Sequence, residues 1–115
     1  MEAGDKAGVA SMKTGRGAAV VDLNDDGQLD LVVVNRHDGA ELWRNAGTDI
    51  TGAQLGHWLQ LALHQDGANR DGIGSWIEVK VGDKVQQREI TSGGGHVSGQ
   101  IGWWHFGLGA AESAQ

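Results

Sequence analysis

Between His57 and His64 apolar and polar side chains alternate, so that Leu59, Leu61 and Leu63 share one face and Trp58, Gln60 and His64 the other. A period of two belongs to an extended strand with one buried side. Residues 74–81 repeat the pattern, with Ile77, Val79 and Val81 directed inward and Trp76, Glu78 and Lys80 outward. Gly82-Asp83-Lys84 then predicts a tight turn into a strand over 85–91, paired antiparallel with the one before it. Further upstream, two β-branched runs at 17–21 and 29–35 flank a polar loop. The unbroken apolar run Leu31-Val32-Val33-Val34 predicts a strand covered on both faces. Asp38-Gly39 signals a turn, residues 41–44 a third strand closed by Asn45-Ala46-Gly47, and residues 103–106 a closing strand before a tail of small residues.

About seven short strands predict an all-β fold: an antiparallel β-sandwich or partial barrel with an appended strand–loop–strand hairpin. Residues 1–16 carry no hydrophobic period and read as a loosely ordered lead-in. Three glycines with Asn, Thr and Asp in 45–56 mark an internal linker. The expected organisation is therefore a lead-in over 1–16, a hairpin over 17–46 and a β domain over 57–109.

Composition sharpens this picture. Among 115 residues there are 20 glycines and no proline, which suits many tight turns and disfavours long helices. A formal charge of −6 with scattered Lys and Arg argues against a nucleic-acid partner, which needs a basic patch. With no cysteine, thiol catalysis, disulfides and thiolate metal sites are excluded. No apolar run approaches the length of a membrane span, and the first residues do not read as a signal peptide.

The candidate chemistry lies in Asp22-Leu23-Asn24-Asp25-Asp26-Gly27-Gln28-Leu29-Asp30. Oxygen side chains stand at loop positions 1, 3, 5 and 9, glycine at 6, and a backbone carbonyl is available at 7. Hard oxygen donors at this spacing suit Ca²⁺ better than Mg²⁺, which keeps more of its water. The ligands predicted are Asp22, Asn24, Asp26, the Gln28 carbonyl and Asp30, with Asp25 facing outward. Position 12 is Val33 rather than the bidentate Glu of an EF-hand, and the flanks are β-branched, so this is a strand–loop–strand site. The competing reading is an acidic hairpin turn that binds nothing, since Asp, Asn and Gly are common turn residues.

Residues 15–22, 30–35 and 42–45, with the loop they enclose, resemble an FG-GAP/VCBS repeat, the calcium-loop unit of integrin-type β-propellers. From His57-Trp58-Leu59 onward, Asn69-Arg70-Asp71-Gly72-Ile73-Gly74, Ser92-Gly93-Gly94-Gly95-His96 and His105-Phe106-Gly107-Leu108-Gly109 resemble the ASPIC/UnbV domain. The resemblance implies a secreted or cell-surface setting after several such repeats, but no particular activity. This chain holds one repeat, and one repeat cannot close a propeller.

Five tryptophans with one phenylalanine and no tyrosine form an unusual aromatic set. Trp58, Trp76, Trp103 and Trp104 are the candidates for a ligand platform, because amphipathic indoles suit sugar rings and protein partners. The alternative is that the hairpin covers them. Trp103 and Trp104 must point to opposite sides if both lie in a strand. The five histidines lack zinc spacing, although His96, after three glycines, could reach a ligand. Asp66, Asn69 and Asp71 could form a second cation site, for which an Asx-type turn is the simpler account. Ser75, Ser92 and Ser98 lack the context of a nucleophile, and no catalytic constellation emerges.

These readings converge on a calcium-binding, non-enzymatic β module that binds a protein or a glycan, with Ca²⁺ in a structural role. Two other classes stay open. One is an accessory protein of a biosynthetic or surface system, suggested by the family's association with enediyne gene clusters. The other is a structural dimerisation unit that associates through exposed edge strands.

Overall fold

A computed structural model of the protein describes residues 4–49, 51–95, 98–99 and 102–115. In chain order the elements are α1 (Gly4–Ala7), β1 (Gly15–Val21), β2 (Asp30–Asn35), β3 (Glu41–Trp43), β4 (His57–Leu61), β5 (Trp76–Val81), β6 (Lys84–Glu89) and β7 (Trp104–Gly109). Among the described residues every strand pairing is antiparallel and no sheet closes into a barrel, and the chain is all-β as expected. The chain divides into two compact units, Met1–Leu55 with Gly95–Ser98, and Gly56–Gly94 with Gly99–Gln115.

The first unit carries a three-stranded sheet in the order β1-β2-β3. Its register runs from Val21↔Asp30 beside the polar loop to Gly15↔Asn35, with an irregularity between Gly15 and Gly17. The apolar run of β2 is not covered on both faces: residues 31–33 are half-buried and Val34 is 50% exposed. A three-stranded sheet without a packed layer on each side cannot bury both faces of its central strand. What is buried here is polar. Asn35 donates from Nδ2 to the Gly39 carbonyl at 2.9 Å and to Glu41 Oε2 at 2.7 Å, so a side chain closes the β2–β3 turn.

Two segments are more ordered than their composition predicts. The lead-in forms one helical turn, closed by the Val9 N–H on the Gly4 carbonyl at 3.0 Å. It is also tied to β3, because Ser11 Oγ donates to Glu41 Oε2 at 3.0 Å and Lys13 Nζ lies 3.5 Å from Glu41 Oε1. The segment expected as a linker folds back on itself: the Leu55 N–H reaches the Gly47 carbonyl at 2.9 Å and Thr48 bridges Gln54. Asp49 organises that return by accepting the Thr51 and Ala53 N–H groups at 2.8 and 3.1 Å, an Asx-type use of its side chain.

The second unit holds the apolar core. Ile77, Val79, Ile90, Trp104 and Phe106 are buried, and Leu59, Leu61 and Leu63 pack against them. Each such side chain removed from water contributes roughly 1.5–3 kcal/mol before entropy is counted. The side chains come from the β4-β7 and β5-β6 sheets, with Leu63 and Ile90 just past the ends of β4 and β6. The β5–β6 hairpin is antiparallel as predicted, Val81↔Lys84 through Trp76↔Glu89, but Lys84 belongs to β6 rather than to the turn, β6 ends at Glu89 rather than at residue 91, and Gly82 takes a φ of 57°. Strand β4 ends at Leu61, three residues short of His64, although Leu63 keeps its inward face. The closing strand starts at Trp104 and runs on to Gly109, past the predicted end, because it pairs with β4 along that length. At the start of β4 the chain passes so close to Gly109 that a Cβ on Gly56 would overlap the Gly109 carbonyl.

Candidate functional site

The acidic loop joins β1 to β2, and its carboxylates point at the loop's own backbone. Asp22 accepts the Asp26 N–H at 3.1 Å on Oδ1 and the Gly27 N–H at 2.8 Å on Oδ2. Asp26 accepts the Gln28 N–H at 2.9 Å on Oδ1 and the Asn24 amide at 2.8 Å on Oδ2. The bend needs left-handed backbone at Asp25, φ 56°, and at Gly27, φ 81°. Asp tolerates that region and glycine enters it freely. Asp25 is exposed, as are Asn24 and Asp26, and Gly27 is buried.

Asp30 closes the loop. The residue is 2% exposed, and its carboxylate accepts the Leu23 N–H at 3.2 Å on Oδ2 and the Asn45 N–H at 2.8 Å on Oδ1. One side chain thus joins both ends of the loop to the segment that leaves β3. The Asn24 amide, with the Gln28 backbone N–H, holds the Asp26 carboxyl below its ordinary range, with a small further contribution from Arg44, whose Nη2 lies 3.9 Å away.

Among the described residues no three His, Asp or Glu side chains converge as a preassembled metal cluster. The donor chemistry nevertheless fits a hard cation. Each oxygen of Asp30 accepts one N–H in the bonds above and has a second lone pair. Asn24 is the misfit, since it turns its NH₂ toward Asp26. It would have to reverse its amide to offer oxygen.

In the second unit the indoles separate by burial. Trp58 is 40% exposed, Trp76 66% and Trp103 62%. Trp104 is a correction to the candidate platform: it lies in the core at 7% exposure and cannot offer its ring. Trp103 precedes β7, so strand parity applies only from Trp104 onward. Trp58 stacks on His105, ring centroids 5.9 Å apart at 19°, in a pair that β4 and β7 set side by side. Trp43 is half-buried and lines an open recess of ≈ 710 Å³ in the first unit with Val9, Leu29, Leu31 and Leu55. His96 lies outside the described residues. The proposed second cation loop is held as a turn: Asn69 accepts the Ile73 N–H at 3.0 Å and donates to its carbonyl at 2.9 Å.

Sequence reading missed Asn45 and Glu41 as partners of the loop and of the β2–β3 turn. Asn45 was legible only as the end of a strand, and its N–H finds Asp30 through the pairing of β2 with β3.

Residues 65–115 match the family described as ASPIC and UnbV. The ASPIC/UnbV match takes in β5, β6 and β7 and begins after β4, the partner of β7. The first unit's acidic loop lies outside it. No curated protein and no solved structure matches the chain.

Proposed function

We propose that residues 22–30 form a calcium loop of the FG-GAP/VCBS kind, in which Ca²⁺ has a structural role, within a non-enzymatic module that binds a protein or a glycan. The observation that carries this reading is the loop itself. Asp22, Asn24, Asp26, Gln28 and Asp30 place oxygen-bearing groups at alternating positions around a bend with Gly27 in left-handed conformation, Asn24 joining the set once its amide reverses. Ca²⁺ accepts six to eight oxygens, and its charge would offset the mutual repulsion of three carboxylates. Binding to the folded loop alone stabilises the fold by linkage. The exposed indoles of Trp58, Trp76 and Trp103 are the surface through which a partner would bind, and the setting that fits the resemblance is extracellular or cell-surface.

A thermal melt with Ca²⁺, Mg²⁺ and EDTA, on wild type and Asp26→Ala, tests the metal. A Ca²⁺-selective rise in Tm that disappears in the variant supports the loop, and coincident curves reject it. A glycan array read by Trp fluorescence tests the sugar arm of the partner reading.

A further inference from the structure

Four Asp-Gly pairs occur in the chain, at 26–27, 38–39, 66–67 and 71–72. An aspartyl side chain followed by glycine can close on the main chain, because no Cβ shields the glycine nitrogen and the backbone there turns freely. Local structure decides which pair is free to do so. Two are locked. The Gly27 N–H is held on Asp22 Oδ2 at 2.8 Å, Gly27 is buried, and both oxygens of Asp26 accept hydrogen bonds. Asn24, then the Gln28 N–H and Arg44, hold Asp26 ionised below its ordinary range, whereas a carboxyl releases water only when protonated. Gly72 is buried too, with its N–H on the Asn69 carbonyl at 3.2 Å and its own carbonyl taking the Ser75 N–H at 3.0 Å.

A third pair is braced. Asp38 and Gly39 are exposed, but the Gly39 carbonyl holds Asn35 Nδ2 at 2.9 Å within the turn that joins β2 to β3. Asp66 and Gly67 have no such hold. They sit at the tip of a loop closed at its neck by the Gln65 N–H on the Arg70 carbonyl at 2.9 Å and by the Gln65 side chain on the Asn69 carbonyl. Both are exposed, and nothing lies within 4 Å of where a Cβ on Gly67 would stand. Among the described residues neither the Asp66 carboxylate nor the Gly67 N–H has a hydrogen-bond partner.

We propose that the fold directs isoaspartate formation to Asp66, making it a site of spontaneous covalent modification. The Gly67 nitrogen bonds to Asp66 Cγ, the Cγ–OH bond breaks, and the amide proton leaves with the hydroxyl as water, closing a succinimide ring. Water then opens either carbonyl of the ring, returning aspartate or leaving isoaspartate, in which the main chain runs through Cγ. The water lost in the first step returns in the second, so no other reactant is consumed. Isoaspartate adds one methylene to the main chain, and a loop tip tied only at its neck takes that change without altering the register of β4 or β5. The inference is independent of the calcium loop and of the aromatic surface.

The test ages the full chain at physiological temperature and pH in EDTA, so that no cation shields Asp26. Isoaspartate is located by peptide mapping with fragment ions that distinguish the two linkages. Methyl transfer from S-adenosylmethionine by an isoaspartyl methyltransferase measures it independently. In the folded chain isoaspartate should accumulate at Asp66 about tenfold faster than at Asp26 or Asp71, each of which must open locally before it can react. Asp38 should fall between them, and in denaturant the four rates should draw together. Asp66→Glu, whose longer side chain closes the ring far more slowly, should remove most of the methyl transfer. A rate at Asp66 no higher than at Asp26 or Asp71 in the folded chain overturns the proposal. The same ranking in denaturant also overturns it, by assigning the preference to neighbouring sequence rather than to the fold, as does methyl transfer that Asp66→Glu leaves undiminished.

Discussion

Asp30 and Asn45, 15 residues apart in sequence, are joined by a 2.8 Å hydrogen bond from the Asn45 N–H to a carboxylate oxygen of Asp30, a residue almost wholly buried. The same carboxylate holds Leu23. Asp30→Ala strips both part-buried N–H groups of their acceptor, and leaving such a donor unpaired costs up to about 1–3 kcal/mol. The expected loss is about 2–4 kcal/mol. Asp30→Asn retains one acceptor oxygen and should lose about half as much. Urea unfolding followed by amide signals of β1 and β2 measures both.

The Asn24 side chain reports on the metal without any change in the protein. Its NH₂ faces Asp26 at 2.8 Å, whereas Ca²⁺ takes oxygen. Added Ca²⁺ should shift the Asn24 side-chain amide resonances and leave those of Asn69, engaged at Ile73, in place. Asn24→Asp should lower stability in EDTA through repulsion with Asp26 and raise the dependence on Ca²⁺.

Acid should loosen the first unit. Glu41 is held below its ordinary range chiefly by the Asn35 amide, with Ser11 and Lys13 adding to it against desolvation. A carboxyl depressed in the folded state stabilises above its unfolded pKa, and that contribution is lost as pH falls through the folded value. Stability of the β1-β2-β3 sheet should therefore decline through the carboxylate range, about pH 5 down to 3. Glu41→Gln should flatten that decline, as read from urea midpoints at each pH.

Two glycines on facing chain segments should respond oppositely to a methyl group. A Cβ at Gly56 would overlap the Gly109 carbonyl, whereas one at Gly107 meets nothing within 4 Å. Gly56→Ala should cost about 3 kcal/mol or prevent folding of the second unit. Gly107→Ala should stay within about 0.5 kcal/mol of wild type. Thermal unfolding of the two variants makes the comparison.

Adjacent tryptophans should differ as sharply. Trp104→Ala empties a core position and should cost about 3–5 kcal/mol. Trp103→Ala changes an exposed ring and should leave stability within about 0.5 kcal/mol. Only the Trp103 variant is then fit for partner-binding tests.

Where a structure is local, the amino-acid pattern carries it. The alternation of Ile77, Val79 and Val81 with Trp76, Glu78 and Lys80 names the buried face of β5, and Gly82-Asp83 names the turn that pairs it with β6. The candidate loop was legible for the same reason, since its donors and Gly27 lie within nine consecutive positions. The pairing of β4 with β7 was not legible, because its partners come from opposite ends of the second unit. Nor was the order of the lead-in and of the segment after β3, which comes from bonds to the Glu41 and Asp49 side chains and from the Leu55–Gly47 backbone bond rather than from any period.

The sequence by itself determined the all-β class, the β5–β6 hairpin with its buried face, and the oxygen-rich loop, since strand parity, turn chemistry and donor spacing act over a few residues. Only the tertiary structure decided that Trp104 enters the core while Trp103 stays out, and that Asp30 is buried on Asn45. Each of these depends on which distant segment arrives to cover a face or accept a hydrogen bond, and that follows from the packing of the whole unit rather than from any local run of residues.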